Sequence, residues 1–519
     1  MHQTVSMNLR LNLPTRIGAA IAAGVVCASA SLSVAQPIDK TWDNRGFEHQ
    51  KIAFEAMQAG DYAKAEAEFR KQIELQQTNF VPWYNLACAL SMQDKVDDAW
   101  EALRKAVELG FDRVTLLDND PQLNPLRDDP RFINLIDKWD LIRETRSDQT
   151  LEILQKQYGP TYTYEKDEQL RLIFASAFSD VSFAQAKREM YLLAAWGSKH
   201  VFYNLPAPDT DTNTAAPDSN EDNKTPEKVD AWVSVVLPNA KDFMRWAVSI
   251  YGSNAITGTQ QIGGSYLHDQ KQLVSQNLGT SLRHEYFHVL HWRSNERAGN
   301  LHAVWVQEGL CSLVEDFDIM PDGDLVIREN YRTNTARRLA RLGKLMPIET
   351  LAEMERDRFN STRPLANYAM ARTFFYYLYR QGKLGEWYRV YDETYRADPS
   401  GITAITRVLG DDLTQVNREY QQWVRNLNEV SEAGRIPGAA LGLDTDAGNG
   451  EGLTIKAVRN RSARTFRRND VLVSVDGRNV RDLNELYRVL GDYEPGDIVD
   501  VVVLRRGKEI TGKVTLQRP

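Results

Sequence analysis

The chain has 519 residues, with 71 acidic and 63 basic side chains and a net charge of −8. That length is too great for one hydrophobic core and points to about three domains. The acidic balance is spread along the chain, which argues against a nucleic-acid binder, and the 3 cysteines exclude a disulfide scaffold.

Residues 1–35 carry Arg10 and Arg16, an apolar run over 17–34 and the small-residue end Ser33-Val34-Ala35. This pattern reads as a secretory signal cleaved near Ala35, because the run is rich in Ala and short of Leu and Phe. Val26 stands before Cys27, where lipid attachment wants a small residue. The expected location is therefore periplasmic or secreted. No other segment has the apolar length to span a bilayer.

A repeat follows. Gly60, Tyr62, Ala65 and Phe69 recur as Asp94, Val96, Ala99 and Leu103, each offset by 34. The small residues let paired helices approach, and the large ones fill the space between them. A helix-turn-helix period of this length resembles tetratricopeptide repeats, which implies a helical N-terminal domain over 42–142. Such a domain offers a groove for a peptide or an envelope-protein partner, or serves as a folding adaptor beside the next domain.

Over 150–430 the pattern is mixed. Segments 169–175 and 231–237 read as strands and 183–196 as a helix. Residues 206–226 are rich in Asp, Asn, Thr and Pro without an apolar period, and read as a flexible insertion. Residues 263–267 and 272–274 look like short paired strands. Next comes His284-Glu285-Tyr286-Phe287-His288. Two His four apart share one helix face, so both rings reach one metal ion, and Glu285 beside them is placed to act as general base. Thr280 and Ser281 are the expected N-caps. A third ligand is needed, and His291, His302 and Glu308 compete for the position. Three ligands on one straight helix surround a metal poorly, which weighs against His291. His302 precedes the next apolar helix, whereas Glu308 lies on it.

The run HEYFHVLHW followed by WVQEGL resembles gluzincin metallopeptidases. The resemblance implies an α+β peptidase domain with a helical subdomain, a zinc ion held by His284, His288 and Glu308, and an edge strand beside the metal that takes up substrate backbone. It also implies an oxyanion-stabilising Tyr or His from the helical wall, and Tyr368 is the candidate, because the last His of the chain is His302. Ser312 and Glu315 are candidate partners for a ligand His. The chain lacks a G-x-M-E-N-like exopeptidase segment, so endo- and aminopeptidase action both stay open.

Residues 436–519 resemble a PDZ domain, a small β-barrel-like fold. Ala440-Leu441-Gly442-Leu443 matches the carboxylate-binding loop, whose backbone N–H groups receive a peptide C-terminus, and 483–490 matches the groove helix. The 463–468 stretch departs from that pattern, being shorter and more basic. The chain is thus expected to be a multidomain α+β protein acting as a secreted or periplasmic zinc peptidase on peptides or unfolded proteins. The alternatives are a metal-binding scaffold without catalysis and a hydrolase of other amides or esters.

Overall fold

The computed structural model describes residues 44–111, 113–208, 231–251, 263–267, 270–296, 302–320, 323–431, 437–446, 448 and 450–519. The expected signal segment, 1–35, and most of the expected 206–226 insertion lie outside the described residues. Among those described, the chain divides into two units, with the boundary between Ile153 and Leu154.

The first unit is helical. Helices α1 (Asn44–Gln58) and α2 (Tyr62–Leu75) form a hairpin, as do α3 (Phe80–Ser91) and α4 (Val96–Glu108). The helices α2 and α4 begin 34 residues apart. Gly60 and Asp94 both take positive φ, 74° and 57°, so the turn repeats as well as the helices. Ala65, Phe69, Ala99 and Leu103 are fully buried in one core. The short helices α5 (Val114–Asn119) and α6 (Pro130–Asp137) follow, and the boundary at Ile153 falls within the long α7 (Trp139–Tyr158). Stacking of Tyr84 on Phe111, at 4.6 Å between ring centroids, joins α3 to the segment after α4.

The second unit opens with a sheet whose strands run β1-β2-β3-β5-β4. These are β1 (Thr163–Asp167), β2 (Leu172–Ser176), β3 (Trp232–Val236), β4 (Gly264–Leu267) and β5 (Gln272–Ser275). The strands β2, β3 and β5 pair in parallel, while β1 and β4 pair antiparallel on the two flanks. The parallel strands β2 and β3 are buried throughout, in keeping with their mostly apolar sequences, which Ser176 and Ser234 interrupt. Helix α8 (Asp180–His200) follows β2, and α9 (Ala240–Tyr251) follows β3.

From β5 the chain passes into α10 (Thr280–Glu296) and then α11 (Val304–Leu313). Neither Thr280 nor Ser281 supplies the expected cap. Asn277 does so instead, its Oδ1 accepting from Gly279 N at 3.0 Å and Ser281 N at 3.3 Å. The hairpin β6 (Phe317–Ile319) and β7 (Leu325–Ile327) leads to a helical layer. Its helices are α12 (Tyr331–Arg341), α13 (Ile348–Ala352), α14 (Arg356–Ser361), α15 (Pro364–Arg380), α16 (Leu384–Thr394), α17 (Ile402–Leu409) and α18 (Leu413–Arg425). A Cβ on Gly309 would stand 2.5 Å from Phe375, so only glycine lets α11 lie this close to α15. Trp305 stacks on Phe375 at 5.1 Å beside that crossing. Tyr376 and Tyr377 pack on Trp423.

The C-terminal sheet runs β13-β12-β10-β9-β8 with β11 paired to β10. The strands are β8 (Leu443–Thr445), β9 (Leu453–Val458), β10 (Val471–Val475), β11 (Arg478–Asn479), β12 (Ile498–Arg505) and β13 (Lys508–Thr515). Helix α19 (Leu483–Leu490) closes the domain, burying Leu486, Val489 and Leu490 in the core built by Val499, Val501 and Val503.

Candidate metal centre

Two elements bring the predicted ligands together. Helix α10 carries His284 and His288 on one face, and their rings lie 4.9 Å apart. Helix α11, held close to α15 by Gly309, presents Glu308. Its Oε2 stands 3.3 Å from Nε2 of His284 and 3.5 Å from Nε2 of His288. Ligands of a tetrahedral zinc at about 2.0–2.1 Å from the ion are separated by about 3.3 Å. The two separations from Glu308 are thus close to that value, and all three donor atoms lie within 4.8 Å of one another. Among the described residues this is the group of His, Cys, Asp and Glu side chains arranged to hold an ion.

His291 and His302 are not part of it. They face each other instead, with His291 Nε2 and His302 Nδ1 2.9 Å apart, and His302 also approaches Asp392 at 3.3 Å. Burial holds both rings below the usual imidazole range, so they are neutral packing residues. Cys311 is fully buried in the core, and burial pushes its thiol well up.

The ligand set is held from behind. Nδ1 of His284 faces Oε1 of Glu315 at 3.0 Å, which leaves Nε2 facing Glu308. Glu315 is in turn gripped by Arg332, whose Nε and Nη2 donate to the two carboxylate oxygens at 2.6 and 2.7 Å. Burial opposes the charge on Glu315, but Arg332 and His284 overcome it and hold the carboxyl down at about 2. Ser312, the other expected partner, does not reach the ligands, and its hydroxyl finds no hydrogen-bond partner among the described residues. Tyr266 on β4 stacks on His288 at 5.2 Å and on Trp232 at 5.3 Å.

The electrostatics suit a cation. Burial favours a neutral His284, yet the hydrogen bonds to Glu308 and Glu315 outweigh it and raise its pKa to about 10. Burial acts against the charge of Glu308, but His288 and His284 hold its carboxyl well below the usual range.

Glu285 lies on the same helix, buried, with burial pushing its carboxyl up to about 8 against the pull of His284. The backbone of β4 runs directly over it. A Cβ on Gly264 would stand 2.5 Å from Cγ and Oε1 of Glu285. Among the described residues β4 ends its sheet, so one edge is unpaired beside Glu285. Tyr368, on α15, faces the centre from the other side. Its ring lies 6.4 Å from that of His284. Burial first, and then the Glu308 charge, keep that phenol protonated. The guanidinium of Arg332 covers the Tyr368 ring at 5.3 Å. Arg332 and Tyr266 carry no motif that would single them out, and Arg332 reaches Glu315 across 17 residues of chain.

Leu441, Gly442 and Leu443 are separate from the metal centre. They lead into β8, which ends the C-terminal sheet among the described residues. Gly442 takes φ 67° and its carbonyl accepts from Arg459 N at 2.8 Å, while Asn460 holds the Leu441 carbonyl at 3.0 Å.

Among the described residues, no helix is long and apolar enough to cross a membrane. No curated protein matches the chain. Solved structures similar to parts of it include "HtrA-type protease AlgW with decapeptide", at 19% identity over 20% of this chain and 35% of that one, with a TM-score of 0.15. Another is an aminopeptidase N family protein from Idiomarina loihiensis, at 12% identity over 69% of this chain and 67% of that one, with a TM-score of 0.25. The chain spans about a third of the length of the first of these. Residues 425–516 match the family model of the PDZ domain, so a PDZ domain forms the C-terminal part of the chain.

Proposed function

We propose that the chain is a zinc-dependent peptidase of the periplasm or cell exterior, with the ion held by His284, His288 and Glu308. The observation that carries this reading is the spacing of the three donor atoms, with Glu285 beside them. When bound, zinc supplies Lewis acidity to a water molecule and to the scissile carbonyl.

The chain's own residues do the rest. An extended substrate adds to the open edge of β4, and Gly264 lets its backbone pass close to Glu285. Glu285 accepts a proton from the attacking water at its carboxylate. It then returns the proton to the leaving amine. The phenol of Tyr368 donates to the oxygen that becomes negative in the tetrahedral state. Glu315 holds the tautomer of His284 throughout. The PDZ loop at Leu441–Leu443 receives a peptide C-terminus, and the N-terminal helices, of tetratricopeptide type, offer a surface for an unfolded or envelope protein.

A defined peptide pool tests the reading. Cleavage that stops on chelation and returns with one equivalent of zinc is expected. Cleavage that persists without metal would contradict it.

A further inference from the structure

Four charged side chains from two parts of the second unit meet out of reach of solvent. Glu189 comes from α8 and Arg283 from α10, while Arg481 and Glu485 sit at the start of α19 in the PDZ domain; none is more than 4% exposed. The charges cancel. Arg283 donates to Glu189 at 3.0 Å and to Glu485 at 2.9 Å. Arg481 donates twice to Glu189, at 2.7 and 3.1 Å, and its backbone N–H donates to Glu485 at 2.8 Å. Asn479 adds a bond to Glu189 at 2.8 Å. Taking four ions out of water is costly unless each is satisfied in a fixed arrangement. The cluster therefore specifies one docking geometry rather than a loose association.

Its position matters more than its strength. Arg283 immediately precedes the ligand His284. Its Nε and Nη2 also grip the backbone carbonyl of Glu315, at 3.0 and 2.7 Å. The side chain of that same Glu315 holds Nδ1 of His284 at 3.0 Å. Glu485, Arg283, Glu315 and His284 thus form one run of contacts, each of 3.0 Å or less, from the PDZ helix to a metal ligand. A second set of contacts fixes the same helix against β6 and the turn before it, where Arg488 meets Asp318 at 3.5 Å and Asp316 at 3.9 Å.

We propose that the PDZ domain is part of the scaffold of the metal centre, with Glu485 a positioning residue that sets the Glu315 main chain through Arg283 and so orients His284. This rests on the metal-site reading given under Proposed function. It assigns the PDZ domain a role at the ligand His that is independent of any peptide it binds.

A double-mutant cycle on full-length protein tests it, read by zinc affinity in chelator competition and by the visible absorption of the cobalt-substituted protein. Glu485→Gln should weaken zinc binding roughly tenfold, in the range found when a partner of a ligand His is lost. Glu485→Asp should recover part of that loss. Glu315→Gln should weaken binding too, and the double variant should be no weaker than Glu315→Gln alone. Arg505→Gln, which breaks an ion pair with Asp470 inside the PDZ domain, should bind zinc like the wild type. A folded Glu485→Gln protein with wild-type affinity and cobalt spectrum would overturn the proposal, as would losses that simply multiply in the double variant. If Glu485→Gln does not fold, Glu485→Asp decides, since unchanged affinity there overturns the proposal and a partial loss supports it. A wild-type protein that takes up no zinc sinks the metal-site reading and this inference with it. Normal wild-type uptake with an unaffected Glu485→Gln sinks this inference alone.

Discussion

Nδ1 of His284 lies 3.0 Å from the Glu315 carboxylate, and this contact turns the opposite ring nitrogen toward Glu308. A ligand imidazole free to rotate or change tautomer would have to be ordered on each binding event, and Glu315 removes that cost. Replacement by Gln is expected to lower zinc affinity by about 10- to 100-fold. It also leaves Arg332 buried without its anion, at a cost of about 3–5 kcal/mol in stability. Chelator competition and thermal unfolding read the two effects separately. Unchanged zinc affinity would mean that Glu315 serves Arg332 alone.

Tyr368 faces the centre from the helical layer, with its phenol held protonated. Tyr368→Phe removes one donor to the developing oxyanion and should lower kcat by about 10²–10³. Zinc content and KM should stay near wild type, because the ring and its contact with Phe359 at 5.3 Å remain. Steady-state kinetics on a cleaved peptide decide this. A wild-type kcat would assign Tyr368 to packing.

Much of this arrangement was legible before the fold was known, and the reason is locality. His284, Glu285 and His288 lie within one and a half turns of helix, so their spacing alone places them on one face. Glu308 is favoured by its place on the apolar helix together with the resemblance to gluzincins, whereas Tyr368 rests on the resemblance alone. What could not be read lies beyond helix ends or across the chain. Glu315 stands past the end of α11, where no helical period predicts direction, so Ser312 was as good a candidate. The pairing of Arg283 with Glu485 spans 202 residues of chain. The start of α10 differs from the expectation for a physical reason: Thr280 and Ser281 have the right side chains, but Asn277 already accepts from the N–H of Gly279 and of Ser281.

The approach of β4 to the base sets a steric limit. Gly264→Ala would place a methyl against the Glu285 carboxylate, where the gap is 2.5 Å. Either the strand or the base must shift, at a stability cost of about 1–3 kcal/mol. The expected outcome is a fall in kcat of at least about tenfold, the penalty for a displaced reacting group, with zinc content retained. Full activity would show that the carboxylate swings aside freely.

Stability should also respond to pH through Asp482, which caps α19 by accepting from Glu485 N at 2.9 Å. Burial, helped by the charges of Glu485 and Asp316, pushes its carboxyl up from 3.8 to about 6. The folded protein therefore holds this proton to a higher pH than the unfolded chain does. The resulting stability is fully present below 3.8 and is lost as pH rises through about 6. Asp482→Asn keeps the cap without the charge. It should be more stable than wild type by about 1–3 kcal/mol at pH 7.5, with the advantage shrinking toward pH 4. Denaturant unfolding at the two pH values gives the sign, and a variant less stable at pH 7.5 would contradict the assignment.

The most direct test of the metallopeptidase reading is zinc content and peptide-pool cleavage measured side by side on wild-type and Glu285→Gln protein. Close to one zinc per chain is expected in both proteins, and cleavage by the wild type only, because Gln keeps the ligands and removes the base. Equal cleavage by the two proteins, or a wild type without zinc, would contradict it.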